Sequence, residues 1–97
     1  MTGERIDARM LTERFIVEGR VQGVGFRYFV EKKASALALK GFVRNLPDGR
    51  VECVASGKKE DLDLLYQHLL SGPPLAKVTG VARSVSSSES YSSFDIR

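Results

Sequence analysis

Along residues 14–21 apolar and polar positions roughly alternate, with Phe15 and Val17 on one face and Glu18 and Arg20 on the other. A period of two sends successive side chains to opposite faces, so the segment predicts a β-strand in which Ile16 interrupts the pattern. From about Phe26 to Leu39 the period changes. Phe26, Phe29, Val30, Ala34, Leu37 and Ala38 recur at the spacing of one helical face, and Gly41 is expected to end that helix. Phe42 to Asn45 predicts a second strand and Val51 to Ala55 a third. Between them lies Pro47-Asp48-Gly49, where Asp-Gly joining two apolar runs signals a hairpin. Gly57 and Glu60 are expected to open a second helix with Leu62, Leu65, Tyr66, Leu69 and Leu70 on one face, stopped by Gly72-Pro73-Pro74. Val78 to Val85 predicts a fourth strand, Ser86–Ser93 a serine-rich loop, and Phe94-Asp95-Ile96 a short closing strand.

The order strand, helix, strand, strand, helix, strand predicts the α+β, ferredoxin-like βαββαβ sandwich. Two helices with apolar faces would pack on one face of an antiparallel sheet, with the short extra C-terminal strand appended. Phe26, Phe29, Leu37, Leu65 and Leu69 are the main core candidates. Residues 1–12 lack periodicity and are expected to form a flexible N-terminal extension to a domain at 13–97.

Composition narrows the class. A chain of 97 residues with 42% hydrophobic and 28% charged content suits one soluble domain. The lone Cys53 rules out an internal disulfide, no segment reaches the roughly 20 apolar residues of a membrane span, and Met1–Thr12 lacks the apolar run of a signal peptide. A cytoplasmic protein without membrane association is expected. The net charge of +3 is unevenly spread. Arg20, Arg27, Lys32, Lys33, Lys40, Arg44 and Arg50 face only Glu31 and Asp48 within residues 19–50, which leaves the remainder slightly acidic. A small anion or a nucleic acid met by that region would explain the bias, as would an unevenly charged solvated surface.

The run Gly19-Arg20-Val21-Gln22-Gly23-Val24-Gly25-Phe26-Arg27 joins the first strand to the first helix. Glycines at such a junction let successive N–H groups point into one hollow, and the helix N-terminus adds partial positive charge. Arg27, in the first helical turn, can grip phosphate oxygens from the same side. A plain strand–helix connection with a surface arginine fits the glycines equally well.

Three motifs separate these alternatives by resemblance. Val17-x-Gly19-x-Val21-Gln22-Gly23-Val24-x-Phe26-Arg27 resembles the acylphosphatase signature. Gly41-x-Val43-x-Asn45-x-x-Asp48-Gly49-x-Val51-Glu52 resembles the same family's second signature, and Tyr91-Ser92-x-Phe94 its C-terminal strand. The resemblance runs from about Glu13 to Arg97. It implies that Gly19, Arg20, Val21, Gln22, Gly23, Val24 and Gly25 cradle the substrate phosphate with Arg27, and that Asn45 positions the attacking water. The implied reaction is metal-independent and cofactor-free hydrolysis of a small acyl phosphate to carboxylate and inorganic phosphate. Leu46 stands where some members carry a small polar residue.

The chemistry agrees with those residues. A carboxylate leaving group, with a conjugate acid of pKa roughly 4 to 5, departs as an anion at neutral pH and needs no general acid. Phosphoryl transfer then requires mostly positioning and electrostatic stabilisation. Inorganic phosphate or sulfate is the expected bound anion, and a monomer the expected state. Other reactive side chains have plainer readings: His68 as a solvated helix residue, Cys53 as a buried thiol, and Glu60, Asp61 and Asp63 as acids favoured at a helix start. No metal-ligand spacing occurs. A non-catalytic anion-binding module on the same fold is the main rival, and it would have no need of Asn45. A domain cut from a larger carbamoyl-transfer protein is a further possibility. An RNA-binding sheet would carry stacking aromatics, and Val51-Glu52-Cys53-Val54-Ala55 has none.

Overall fold

The computed structural model describes residues 10–86 and 90–97. Seven elements follow in order: β1 (Met10–Arg20), α1 (Phe26–Ala36), β2 (Lys40–Asn45), β3 (Val51–Lys58), α2 (Lys59–Ser71), β4 (Lys77–Val85) and β5 (Phe94–Ile96). The sheet order is β4-β1-β3-β2-β5. β1, β2, β3 and β4 pair antiparallel, whereas β5 runs parallel to β2, which makes the sheet mixed rather than purely antiparallel. The reason is topological: β4 lies at one edge, and the chain crosses to the opposite edge before β5 forms. The expected α+β arrangement of two helices on a sheet is present, with β5 as the added strand.

Alternation decides which face is covered. Phe15 and Val17 of β1, Val43 of β2, and Val51, Cys53 and Ala55 of β3 are fully buried beneath the helices. They meet Phe26, Val30 and Ala34 of α1 and Leu62, Leu65 and Leu69 of α2, all buried. Phe29 and Leu37 are only half-buried against this cluster. Phe29 lies on the flank of α1, its ring edge-on to His68 at 6.4 Å and tilted against Phe26 at 6.1 Å. Leu37 has already left the helix. Ile16 breaks the alternation because the opposite sheet face is also partly covered: Ile16, Phe42 and Val54 are buried there. On the same face Glu52 accepts hydrogen bonds from Arg14 Nε and Arg44 Nε, each at 2.5 Å.

Several boundaries differ from those expected, and the causes are contacts between strands. α1 ends at Ala36, and Ala38 rather than a glycine takes the left-handed position, at φ +59°. The Leu39 N–H donates back to the Ala34 carbonyl at 2.9 Å, the closing bond of this kind of helix end. Gly41 lies inside β2 instead, where a Cβ would stand 1.9 Å from the Val54 carbonyl oxygen. β3 continues through Gly57 to Lys58, so α2 starts at Lys59. That longer β3 gives β1 extra partners. Residues 10–12, expected in the extension, pair as Met10↔Lys58, Leu11↔Gly57 and Thr12↔Ser56. Residues 1–9 and part of the Ser86–Ser93 loop, 87–89, lie outside the described residues.

Candidate functional site

The site begins where β1 ends. Glu18 and Gly19 mark a shift in register against β4, after which Gly19 pairs with Val78 and Arg20 with Lys77. A Cβ on Gly19 would stand 2.1 Å from the Lys77 carbonyl oxygen, so this glycine permits close strand approach. The chain then turns through Gly23 and Gly25, at φ +74° and +80°, directly into α1. Gly25 occupies the helix N-cap without a side-chain cap, and no acid stands in the first turn. Among the described residues no backbone carbonyl or capping side chain accepts the N–H groups of residues 22–28. Donors left open at a helix start are what an anion requires.

These donors border a cavity of about 220 Å³ lined by Val21, Gly23, Gly25, Phe26, Arg27, Tyr28, Asn45 and Ile96. Arg27 is exposed, and its Nη1 donates to the Arg97 main-chain oxygen at 3.1 Å. The Arg97 N–H in turn donates to the Val43 carbonyl at 2.8 Å. The arginine is therefore oriented by the segment after β5, which is itself fastened to the strand that carries Asn45. A guanidinium has five N–H donors, so this one bond leaves others for an anion. Asn45 ends β2, half-buried and paired with Val51.

Gln22 holds the two halves of the site together. Its side-chain Nε2 donates to the Leu46 carbonyl at 2.8 Å and to the Arg50 carbonyl at 3.0 Å. The glycine-rich loop is thereby tied to the β2–β3 hairpin immediately after Asn45. Within that hairpin Gly49 adopts φ +99°, and the Leu46 N–H donates to the Arg50 carbonyl at 2.8 Å. Asp48 accepts from the Arg50 side chain at 2.9 Å, and this bond holds its carboxyl below the ordinary range.

Of the residues implied to bind phosphate, Val21, Gly23, Gly25 and Arg27 line the cavity together with Asn45. Gly19, Arg20, Gln22 and Val24 are not among its lining residues: the first two belong to the β1–β4 ladder, Gln22 serves the hairpin and Val24 packs against the core. Tyr28 and Ile96 line the cavity and were not singled out from the sequence. Tyr28 carried a signal, a large exposed aromatic next to Arg27. Ile96 carried none, because only the parallel register Val43↔Ile96 brings it there.

The other reactive side chains are committed elsewhere. Cys53 is completely buried, and burial pushes its thiol pKa up, which suppresses the nucleophilic thiolate. His68, expected to be solvated, is half-buried edge-on to Phe29; burial and then the charge of Lys33 lower its pKa. Asp63 bridges Lys59 at 3.2 Å and Arg83 at 2.6 Å, so it serves the α2–β4 contact.

Fold and pocket together define a small α+β sandwich with a hollow at its first strand–helix junction, bordered by open N–H donors and Arg27. The family model described as acylphosphatase matches residues 13–96. A protein from Thermus thermophilus named acylphosphatase is 59% identical over 66 residues, covering 68% of this chain and 75% of its own. One of the same name from Archaeoglobus fulgidus is 47% identical over 87 residues, covering 90% and 98%. The solved structure of an acylphosphatase from Coxiella burnetii superposes with a TM-score of 0.91 at 40% identity, over 100% of both chains. The chain belongs to the acylphosphatase family.

Proposed function

We propose that this acylphosphatase-family chain hydrolyses the carboxyl–phosphate bond of small acyl phosphates with Arg27, Asn45 and the amides of the 21–25 loop. The observation that carries the reading is the meeting of Arg27, Asn45 and an uncapped helix N-terminus on one cavity of about 220 Å³. The phosphoryl group sits in the loop, its equatorial oxygens facing the open N–H groups and the guanidinium. Charge that spreads over those oxygens in the transition state is met by donors already in place. Asn45 holds water in line with the acyl oxygen. An amide takes up no proton near neutral pH, so the proton of the attacking water passes to a phosphoryl oxygen. The P–O bond to the acyl group breaks, and the carboxylate leaves as an anion.

No step in this scheme calls for a metal or cofactor. The single cysteine, a free buried thiol, favours a cytoplasmic location, and a monomer is the expected state. Inorganic phosphate, the product, and sulfate are the anions expected to compete for the loop. The test is Asn45→Ala, with kcat falling on the order of a hundredfold, the scale of lost positioning, and the inhibition constant of inorganic phosphate staying within about twofold. Weakened phosphate binding at unchanged kcat would contradict the role given to Asn45. A folded wild type that binds phosphate without hydrolysing any acyl phosphate would favour an anion-binding module instead.

A further inference from the structure

A second depression lies beside the anion cavity, along α1. Gly25, Tyr28, Phe29, Lys32, Lys33 and Ala36 line one side of it, and Pro73, just after α2, lines the other; its volume is about 490 Å³. The spacing of these α1 positions, alternating three and one, is that of a single helical face. The stripe extends about 16 Å at the rise of an α-helix. The Tyr28 and Phe29 rings are its aromatic lining. Lys32 Nζ lies 5.5 Å from the centre of the Tyr28 ring, and Lys33 Nζ lies 5.5 Å from that of Phe29. Lysines placed this way add aliphatic stem to an apolar surface while their charged heads stay in water.

Continuity gives this groove its occupant. Gly25 and Tyr28 line both the anion cavity and the groove, so the two hollows adjoin at the helix start. A phosphoryl group fixed in the loop must direct its acyl substituent outward, and an acetyl group would leave almost all of the groove empty. We propose that the α1 groove is the acyl subsite, and that the enzyme selects acyl phosphates with extended apolar acyl chains over acetyl phosphate. The inference rests on the hydrolytic reading above. Tyr28, at the junction, is the specificity-determining residue, and Ala36 marks the far end.

The test is kcat/KM across acetyl, butanoyl, hexanoyl and octanoyl phosphate for the wild type, Tyr28→Ala and Ala36→Trp. Each methylene that enters the groove should raise kcat/KM about twofold, less than the full-burial effect because one side stays open to water. Over the six added methylenes the octanoyl-to-acetyl ratio should therefore reach roughly sixtyfold in the wild type. It should drop at least fivefold when the Tyr28 ring is removed or when tryptophan fills the far end. Tyr28 and Ala36 are exposed, and unchanged melting temperatures would verify that both variants fold. A flat wild-type series, with acetyl phosphate hydrolysed, overturns the subsite and leaves the hydrolytic reading standing. So does a rising series that neither variant alters. Failure to hydrolyse any member of the series overturns the hydrolytic reading itself.

Discussion

Replacing Gln22 by alanine should loosen the site without emptying it. The side-chain amide donates to two carbonyls of the hairpin, those of Leu46 and Arg50. Each carbonyl also accepts from the backbone: Leu46 from the Gly49 N–H at 3.1 Å and Arg50 from the Leu46 N–H at 2.8 Å. Neither is orphaned by the substitution, so the loss is the net value of two hydrogen bonds rather than a desolvation penalty. At about 1 kcal/mol each the sum is about 2 kcal/mol, or a fall in melting temperature of about 10 °C for a chain of this length. The functional effect comes from Asn45, which directly precedes Leu46. A displacement of about 1 Å at a positioning group can cost on the order of a hundredfold in rate, so kcat should fall by at least tenfold. Urea unfolding and steady-state hydrolysis of benzoyl phosphate measure the two effects separately. A stability change under about 0.5 kcal/mol would refute the structural tie. Lower stability at unchanged kcat would refute its link to Asn45.

Ala38 holds the left-handed position at the end of α1, at φ +59°, where L side chains are disfavoured. Ala38→Gly should raise the unfolding free energy by about 0.5–1 kcal/mol, after allowance for the looser unfolded chain; destabilisation in urea would contradict this. Glu52 yields a pH dependence. Burial alone would raise its pKa, but the hydrogen bonds from Arg14 and Arg44 outweigh that and leave it below the ordinary 4.5. Its folded pKa being depressed, the stabilisation is complete above 4.5 and disappears as pH falls through the lower folded value. Glu52→Gln should therefore lower the melting temperature at neutral pH, with the gap to wild type closing well below pH 4.5. A gap that stays constant with pH would remove the ion pairs from the account.

The parts of this protein legible in its sequence are those written in short-range patterns. Most of the buried face of each helix follows from spacing, although Leu70, expected on that face, is exposed and Phe29 only half-buried. The Asp48-Gly49 turn and the strand–loop–helix run to Arg27 follow from adjacent residues. The misread glycines share a different cause. Gly41 resembles a helix stop along the chain, yet its constraint is the Val54 carbonyl on the neighbouring strand. Gly57 resembles a helix opening, yet a Cβ there would stand 2.2 Å from Leu39 Cδ2. Helix ending passed to Ala38, a residue with no such signature.

The candidate site divides along the same line. Arg27 and the loop glycines are contiguous in the chain, whereas Asn45 gained its meaning from family resemblance and only then from geometry. Ile96 and the oxygen of Arg97 reach the site through β5, whose parallel pairing with β2 no local pattern encodes. The tie from Gln22 to the hairpin spans more than twenty residues and depends on both turns being formed. The sequence thus carries the candidate chemical groups, and tertiary structure adds the contacts that orient them.

The central claim is tested most directly by metal-free hydrolysis of benzoyl phosphate, comparing the wild type with Arg27→Ala. Benzoate and inorganic phosphate should appear in equal amounts with the wild type. The variant should remain folded yet lose both nearly all turnover and competitive inhibition by inorganic phosphate. A folded Arg27→Ala protein that keeps wild-type turnover and phosphate inhibition would contradict the account.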